Sequence, residues 1–366
     1  MTLSLLGPSV SYLEDRLGQS TGVIGILFAV LAAANLLGAL AAGRAITVIG
    51  GHHTIDVGLV GFVVGTALLA LGRDFIVVAI GAAIIGAATG AVDAAANTMV
   101  VWVRPGRSGP SLNALHFMFG VGSLLAPLVT DRAIVWSGEL WPAILVVAAF
   151  ATIALVLVSR HPAPHGAQHA SDSRPLASDR LVLIVAVFFL LYVGAEVGFS
   201  GWIHTYAEEV GLDGSLPALA TALFWAAFAL GRLIAIPVSA RIAPFRIVLF
   251  SATLSIIGLV AMIAADGAVW AVWAGSAIYG LAAAPQYPTM IALVDRHLAL
   301  SARSTSRIVG AAAIGGLIVP LSIGPLLDSV GATSMPLVVG VVSAVALCWV
   351  IFVGREVDRE TPATTA

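Results

Sequence analysis

The sequence predicts an all-α integral membrane protein built from two repeated six-helix bundles. Three observations carry that reading: a composition too apolar for a water-facing surface, long apolar runs recurring along the whole chain, and a match of the chain with itself at a fixed shift. Of the 366 residues 60% are hydrophobic and 10% charged, with a mean hydropathy of +1.04, so the chain cannot cover itself with polar groups. The runs are continuous and rich in Leu, Ala, Val and Gly, without the alternation of a barrel strand. They are therefore helices, which satisfy their backbone internally in lipid.

The N-terminal MTLSLLGPSVSYL is apolar but too short to cross about 30 Å of hydrocarbon, and reads as the end of a span. Spans follow at residues 22–45, 54–71, 76–103, 112–134 and 140–159. Residues 160–180, RHPAPHGAQHASDSRPLASDR, form a linker whose Pro, Ser and charge prevent a packed core. Its His161, His165 and His169 recur every four residues, but Pro162 and Pro164 oppose a helix, so the tract reads as solvated linker and not as a metal site. Six more spans lie at 181–206, 215–240, 247–265, 269–294, 308–327 and 334–353, followed by a tail at 355–366.

Eleven spans and a fragment become regular once the repeat is seen. Shifted by 193 positions, GVGSLLAPL (120–128) falls on AIGGLIVPL (313–321), placing Gly122 on Gly315, Pro127 on Pro320 and, one pair earlier, Gly38 on Gly231. YLED (12–15) matches YAEE (206–209) at a shift of 194. The halves, 1–159 and 181–354, are parallel repeats. In this register the start of the seventh helix corresponds to a point about a dozen residues before Met1, which predicts that half of the first helix is missing.

Arginine sets the expected orientation, since the chain has no lysine. Fourteen of the 17 arginines fall on the linker side, and only Arg16, Arg73 and Arg132 on the other. The linker and C-terminus are thus expected in the cytoplasm, with the protein multi-pass in the inner (plasma) membrane. The single cysteine, Cys348, excludes disulfides and cysteine metal clusters.

The chemistry concentrates in residues 86–127, two apolar segments joined by a short basic turn. Asp93 and Asn97 are spaced i,i+4, and Asn113 and His116 i,i+3, so each pair shares a helix face. A carboxylate in lipid needs a partner or a wet cavity, so Asp93 is a candidate ion-coupling group; the bland alternative is a packing acid bonded to a neighbour. Asp93 can take up and release a proton as hydration alternates, or stay ionised and hold sodium with the Asn97 carbonyl oxygen. Glu196, between Gly194 and Gly198, is a second ion-coupling candidate. His116 can relay a proton or bind a hydroxyl, whereas Asn113, close to a helix start, can instead cap it. Trp202 and Trp225 are candidates for stacking on a sugar ring, although Trp and Tyr at span ends, Tyr206 included, commonly form interfacial belts. Gln286 and Tyr287 lie between Pro285 and Pro288, where a broken helix is expected to expose carbonyls to a cavity. Asn35 is a further binding candidate, and Arg232 lies too deep for a loop arginine and is expected to snorkel or pair with an acid.

Two six-helix repeats, the linker and the arginine pattern resemble the major facilitator superfamily. Its loop signature is degraded: Gly38, Gly43 and Arg44 are kept while Thr47 and Val48 stand near its acid and base, and the second copy keeps Gly231, Arg241 and Arg246. Within the superfamily the chain resembles the branch of fucose permease and the sodium-dependent glucose transporter-like proteins. The resemblance is carried by Asp93-Ala94-Ala95-Ala96-Asn97, by Asn113, His116, Gly120 and Gly122, by YVGAEVGFSGWIHTYAEE (192–209), and by QYPTM (286–290). Asp93 and His116 stand where fucose permease has Glu and Gln. The resemblance implies a major facilitator fold and a secondary transporter that moves a small polar solute, a hexose or deoxyhexose, by alternating access with proton or sodium symport.

No cofactor and no nucleic-acid partner is expected. The chain has no phosphate-binding loop and no lysine, so no nucleotide drives it. An enzyme would need a nucleophile motif or a metal pair within a span, and neither GxSxG nor His-x-x-x-His occurs there. Two competitors remain: an exporter of drugs or metabolites on the same fold, which calls for a greasier cavity, and a non-transporting remnant, which the short first helix suggests.

Overall fold

The computed structural model describes residues 9–19, 21–161, 176–213, 216–265 and 267–360, and they form thirteen helices. These are α1 (Val10–Leu17), α2 (Thr21–Val48), α3 (Gly51–Leu71), α4 (Phe75–Val103), α5 (Gly109–Ser137), α6 (Trp141–Ser159), α7 (Asp179–Glu209), α8 (Leu216–Ser239), α9 (Pro244–Ala264), α10 (Val269–Ala283), α11 (Gln286–Asp295), α12 (Ala302–Val330) and α13 (Ser334–Glu360). Nine of these are individually long and apolar enough to cross a membrane among the described residues. The tenth expected span is divided into α10 and α11, each too short alone. Residues 162–175 of the linker lie outside the described residues, as do His165 and His169.

The chain separates into two compact units. Unit 1 takes residues 1–102, 121–169 and 301–313, and unit 2 takes 103–120, 170–300 and 314–366. The first turns of α5 thus belong to unit 2 and those of α12 to unit 1, and the two stretches are equivalent under the shift of 193.

Helix crossings in each unit depend on glycines that let one backbone lie directly on another. In unit 1, a Cβ on Gly38 would overlap the Ala87 carbonyl, and one on Gly86 the Leu31 carbonyl. In unit 2, a Cβ on Gly231 would stand 2.5 Å from the Leu281 oxygen, and one on Gly280 2.5 Å from that of Phe224. Gly38 and Leu31 map onto Gly231 and Phe224 at a shift of 193. The repeat read from the sequence is therefore repeated in the packing.

The cores differ in kind. Unit 1 buries aliphatic side chains, with Leu13, Ile24, Leu27, Val78 and Ile85 at 0–1% exposure, and a layer of small residues where Ala302 and Val309 of α12 meet Ala39, Ala42, Ala94 and Ala95. There Ser306 of α12 receives the Gly43 N–H at 2.9 Å and donates its hydroxyl to the Ala39 carbonyl. Unit 2 is aromatic: Phe199 stacks on Tyr279 at 4.5 Å, and Phe188 lies parallel to Tyr192 at 5.9 Å. Arg16 closes one end of unit 1, donating to the Ala70 and Leu71 carbonyls at the end of α3 and pairing with Glu139 at 3.2 Å.

Candidate functional site

Unit 1 holds Asn35, Asp93 and Asn97. Gly90 brings α4 so close to α2 that a Cβ there would overlap the Asn35 carbonyl. One turn on, the half-buried Asp93 carboxylate accepts a hydrogen bond from Asn97 Nδ2 at 2.8 Å, and the same nitrogen donates to the Asp93 main-chain oxygen at 2.9 Å. Asn97 is fully buried. The pairing puts the amide nitrogen on Asp93, whereas joint sodium ligation requires the amide oxygen there. Asn35 is half-buried on α2.

Unit 2 holds the other candidates, organised around the break between α10 and α11. Proline lacks the N–H that a helix returns to the carbonyl four residues earlier. Pro285 and Pro288 therefore strip the Leu281 and Ala284 carbonyls of their helical donors. The sequence leads one to expect carbonyls bare to a cavity; of the two freed by proline, that of Ala284 is bonded by a side chain, as are those of Ala282 and Ala283 beside it. Gln286 Nε2 donates to Ala282 O at 3.4 Å, the Tyr192 hydroxyl to Ala283 O at 3.0 Å, and Arg232 Nε to Ala284 O at 3.4 Å. An unpaired buried carbonyl costs about 1–3 kcal/mol, which is the reason for the capping. Gln286 also donates to Ser255 Oγ of α9 at 3.0 Å.

Arg232 is 2% exposed in the middle of α8. It does not snorkel. Its Nη1 donates to the His116 carbonyl of α5 at 2.8 Å, and its guanidinium lies over the Phe228 ring at 4.2 Å and near Phe119 at 5.8 Å. Glu196, 9% exposed on α7, lies near Tyr192 and within the field of Arg232, but the bonds of Arg232 go to main-chain carbonyls and not to the acid expected as its partner. The His116 ring packs on Tyr287 at 4.7 Å, and Tyr287 meets Phe189 edge-on at 4.5 Å. Asn113, fully buried in the first turn of α5, donates to Gly109 O at 3.0 Å and leaves its Oδ1 buried and unbonded.

The two tryptophans differ. Trp202 Nε1 donates to the Pro320 carbonyl at 2.9 Å, fastening α7 to α12. Trp225 is half-buried and packs edge-on against Phe224 and Phe228 at 5.0 and 5.6 Å. The polar groups of Tyr192, Ser255, Tyr279, Gln286 and Ser343 surround a cavity of about 10 Å³, room for one water.

The structure thus gathers Asn113, His116, Glu196, Gln286 and Tyr287 in unit 2 and Asn35, Asp93 and Asn97 in unit 1. Sequence reasoning assigned no role to Tyr192, Tyr279 or Ser108, the last of which donates to the fully buried Asp295 at 2.5 Å. Pro285 and Pro288 announce that carbonyls at 281 and 284 need donors, but not which distant side chains supply them.

Comparison with known proteins agrees with this architecture. The family model described as Major Facilitator Superfamily matches residues 1–320. The chain belongs to the major facilitator superfamily. It is thereby a multi-pass membrane protein of a transporter family, not an enzyme. The sodium-dependent glucose transporter 1A of Mus musculus is 24% identical over 371 residues, covering 89% of this chain and 86% of that protein. The glucose/galactose transporter of Brucella abortus is 26% identical over 329 residues, covering 82% and 78%. The crystal structure of the E. coli fucose:proton symporter superposes with a TM-score of 0.79 over 96% of both chains at 19% identity, a likeness of fold.

Proposed function

We propose that the protein is a sugar:proton symporter that carries a hexose or deoxyhexose by alternating access, with Asp93 as the coupling acid. The observation that carries this reading is a pair of carboxylates, one in each unit: Asp93, which accepts a hydrogen bond from Asn97, and the buried Glu196 near Tyr192. Amides, hydroxyls and aromatic faces are the groups that bind a polyol ring, and Asn35, Asn113, His116, Trp225, Gln286 and Tyr287 supply them. The relatives carry names of glucose, galactose and fucose transporters, which supports a sugar as solute. Protons are favoured over sodium because Asn97 presents its nitrogen to Asp93. The name of the mouse relative keeps sodium as the second reading.

The arginine distribution supports a plasma-membrane protein with residues 160–180 and the tail from 355 in the cytoplasm, between and after helical halves at 1–159 and 181–354. The test is uptake of radiolabelled glucose, galactose and fucose by proteoliposomes under an inward proton gradient, an inward sodium gradient, or neither. Accumulation that a protonophore collapses is the expected result. Accumulation under the sodium gradient alone would replace the proton with sodium, and silence toward all three sugars under every gradient would overturn the solute assignment.

A further inference from the structure

Helices α9 and α13 run side by side along unit 2. A Cβ on Gly340 would stand 3.8 Å from Ile263, and at the other end one on Gly354 would stand 2.6 Å from the Phe245 ring. That end lies on the linker side, where the Ser178 N–H before α7 donates to Glu360 at the end of α13 at 3.1 Å. Each helix presents a stripe of exposed residues at helical spacing: Phe250, Ile257 and Val260 on α9, and Val345, Cys348 and Ile351 on α13. In a membrane these stripes face lipid. Each ends, one turn further toward the linker side, in an exposed arginine: Arg246 four residues before Phe250, and Arg355 four residues after Ile351. The arginines adjoin Phe245 and Gly354 in the chain, so both stand at the crossing of the two helices.

Nothing in the protein uses these two charges. Among the described residues neither Arg246 nor Arg355 has an ion pair or a side-chain hydrogen bond. The nearby Glu356 is buried and held by Arg180 at 3.3 Å and by Arg359 at 2.7 Å, while Asp358, three residues after Arg355, makes no ion pair among the described residues. The repeat does not require the arginines either, since a shift of 193 places them on His53 and Pro162. We propose that the crossing of α9 and α13 binds an anionic phospholipid, with its phosphate on Arg246 and Arg355 and its acyl chains over Phe250, Ile351 and Cys348.

Charge complementarity selects the occupant. A guanidinium is weakly hydrated and presents parallel N–H groups that match phosphate oxygens, so it suits the boundary between water and lipid. A soluble phosphate would gain those bonds alone. A phospholipid gains them and also keeps its chains on the apolar stripes, which continue directly below the arginines.

The native thiol reports on the site. Cys348, the one cysteine of the chain, is exposed and lies about 10 Å along α13 from Arg355, at the depth of acyl chains. The full chain is labelled there with bimane and reconstituted in phosphatidylcholine vesicles with phosphatidylglycerol as the minor lipid. Brominated chains, carried by one lipid at a time, quench the bimane on contact, and the ratio of quenching per mole of each lipid reads the preference. An arginine at a membrane surface favours an anionic lipid about fivefold, so phosphatidylglycerol should be preferred by about fivefold to thirtyfold at low salt. Arg246→Gln and Arg355→Gln should each lower the ratio, and the double variant should bring it to about one. Arg160→Gln, the same change of charge at an exposed position of unit 1, should leave it unchanged. Equal quenching by both lipids in the parent, a preference that survives the double variant, or one lost equally in Arg160→Gln overturns the proposal. Inorganic phosphate that abolishes the preference, where chloride at equal ionic strength does not, makes a soluble anion the occupant and overturns the lipid. Should the double variant fail to fold, the two single variants decide. No arm needs a transported sugar, so failure of the sugar assignment leaves the result standing.

Discussion

Replacing Asp93 by Asn separates the proton from everything else that Asp93 does. The structure makes the change nearly isosteric: Asn97 Nδ2 donates to the Asp93 carboxylate at 2.8 Å and to its main-chain oxygen at 2.9 Å, and an amide oxygen at position 93 can accept the first bond while the second is untouched. A bond to a charged acceptor contributes about 1.5–3 kcal/mol and one to a neutral acceptor about 0.5–1.5, so the variant should lose about 1 kcal/mol and stay folded. Coupling should change far more. One proton moving down a gradient of about one pH unit supplies about 1.4 kcal/mol, enough to hold the solute about tenfold above its outside concentration. Without a proton at position 93, the ratio should fall to one. The assay measures steady-state accumulation and, separately, counterflow exchange of labelled hexose in proteoliposomes. Asp93→Asn should lose the first and keep the second. Accumulation above unity in the variant would refute Asp93 as coupling acid, and equal loss of both activities would make it a binding or folding residue.

Three further perturbations test the architecture. Gly315 lies against the Leu190 carbonyl, so Gly315→Val should destabilise by about 1–3 kcal/mol through overpacking, whereas Gly201, with nothing near its Cβ position, should gain about 0.5–1 kcal/mol as Gly201→Ala; thermal unfolding in detergent reads both. Ser108→Ala removes a 2.5 Å bond to the buried Asp295 and should cost about 2 kcal/mol, seen as a lower Tm, with Ser108→Thr restoring part of it. Trp202→Phe deletes the bond to the Pro320 carbonyl and should lower the Tm by the equivalent of about 1 kcal/mol while leaving the sugar KM unchanged; a raised KM would return Trp202 to the binding site.

What the sequence discloses here is decided by how local the physics is. Spans are legible because hydropathy is a sum over one helix, and the repeat is legible because Gly38 and Gly231 meet the same steric demand in different places. The Asp93–Asn97 pair is legible because both residues sit on one helix face. Tyr192 and Ser108 are not, since their partners lie 91 and 187 residues away and nothing in their own surroundings names them. Arg232 falls between these cases. Its depth in α8 flags it from the sequence, but its acceptors are main-chain carbonyls on two other helices, which no residue type announces.

The break at Pro285–Pro288 shows why such a site tolerates polar groups at all. Breaking a helix in an apolar interior frees carbonyls that must be bonded, and the protein bonds them with Gln286, Tyr192 and Arg232, three side chains suited by chemistry to a sugar or a carboxylate. These side chains are held in place by the backbone they bond. The same arrangement ties function to stability. Removing the fork at position 232 would leave the Ala284 carbonyl without a helical donor, because residue 288 is proline, and an ionised Glu196 would lose the cation whose field reaches it. Loss of transport in Arg232→Leu is therefore expected to come with loss of fold. In the double variant Arg232→Leu/Glu196→Gln the buried charge is gone from both sides, and part of the Tm should return. If the double variant is no more stable than the single one, Glu196 is already neutral in the folded protein, and the two residues are joined by the break alone.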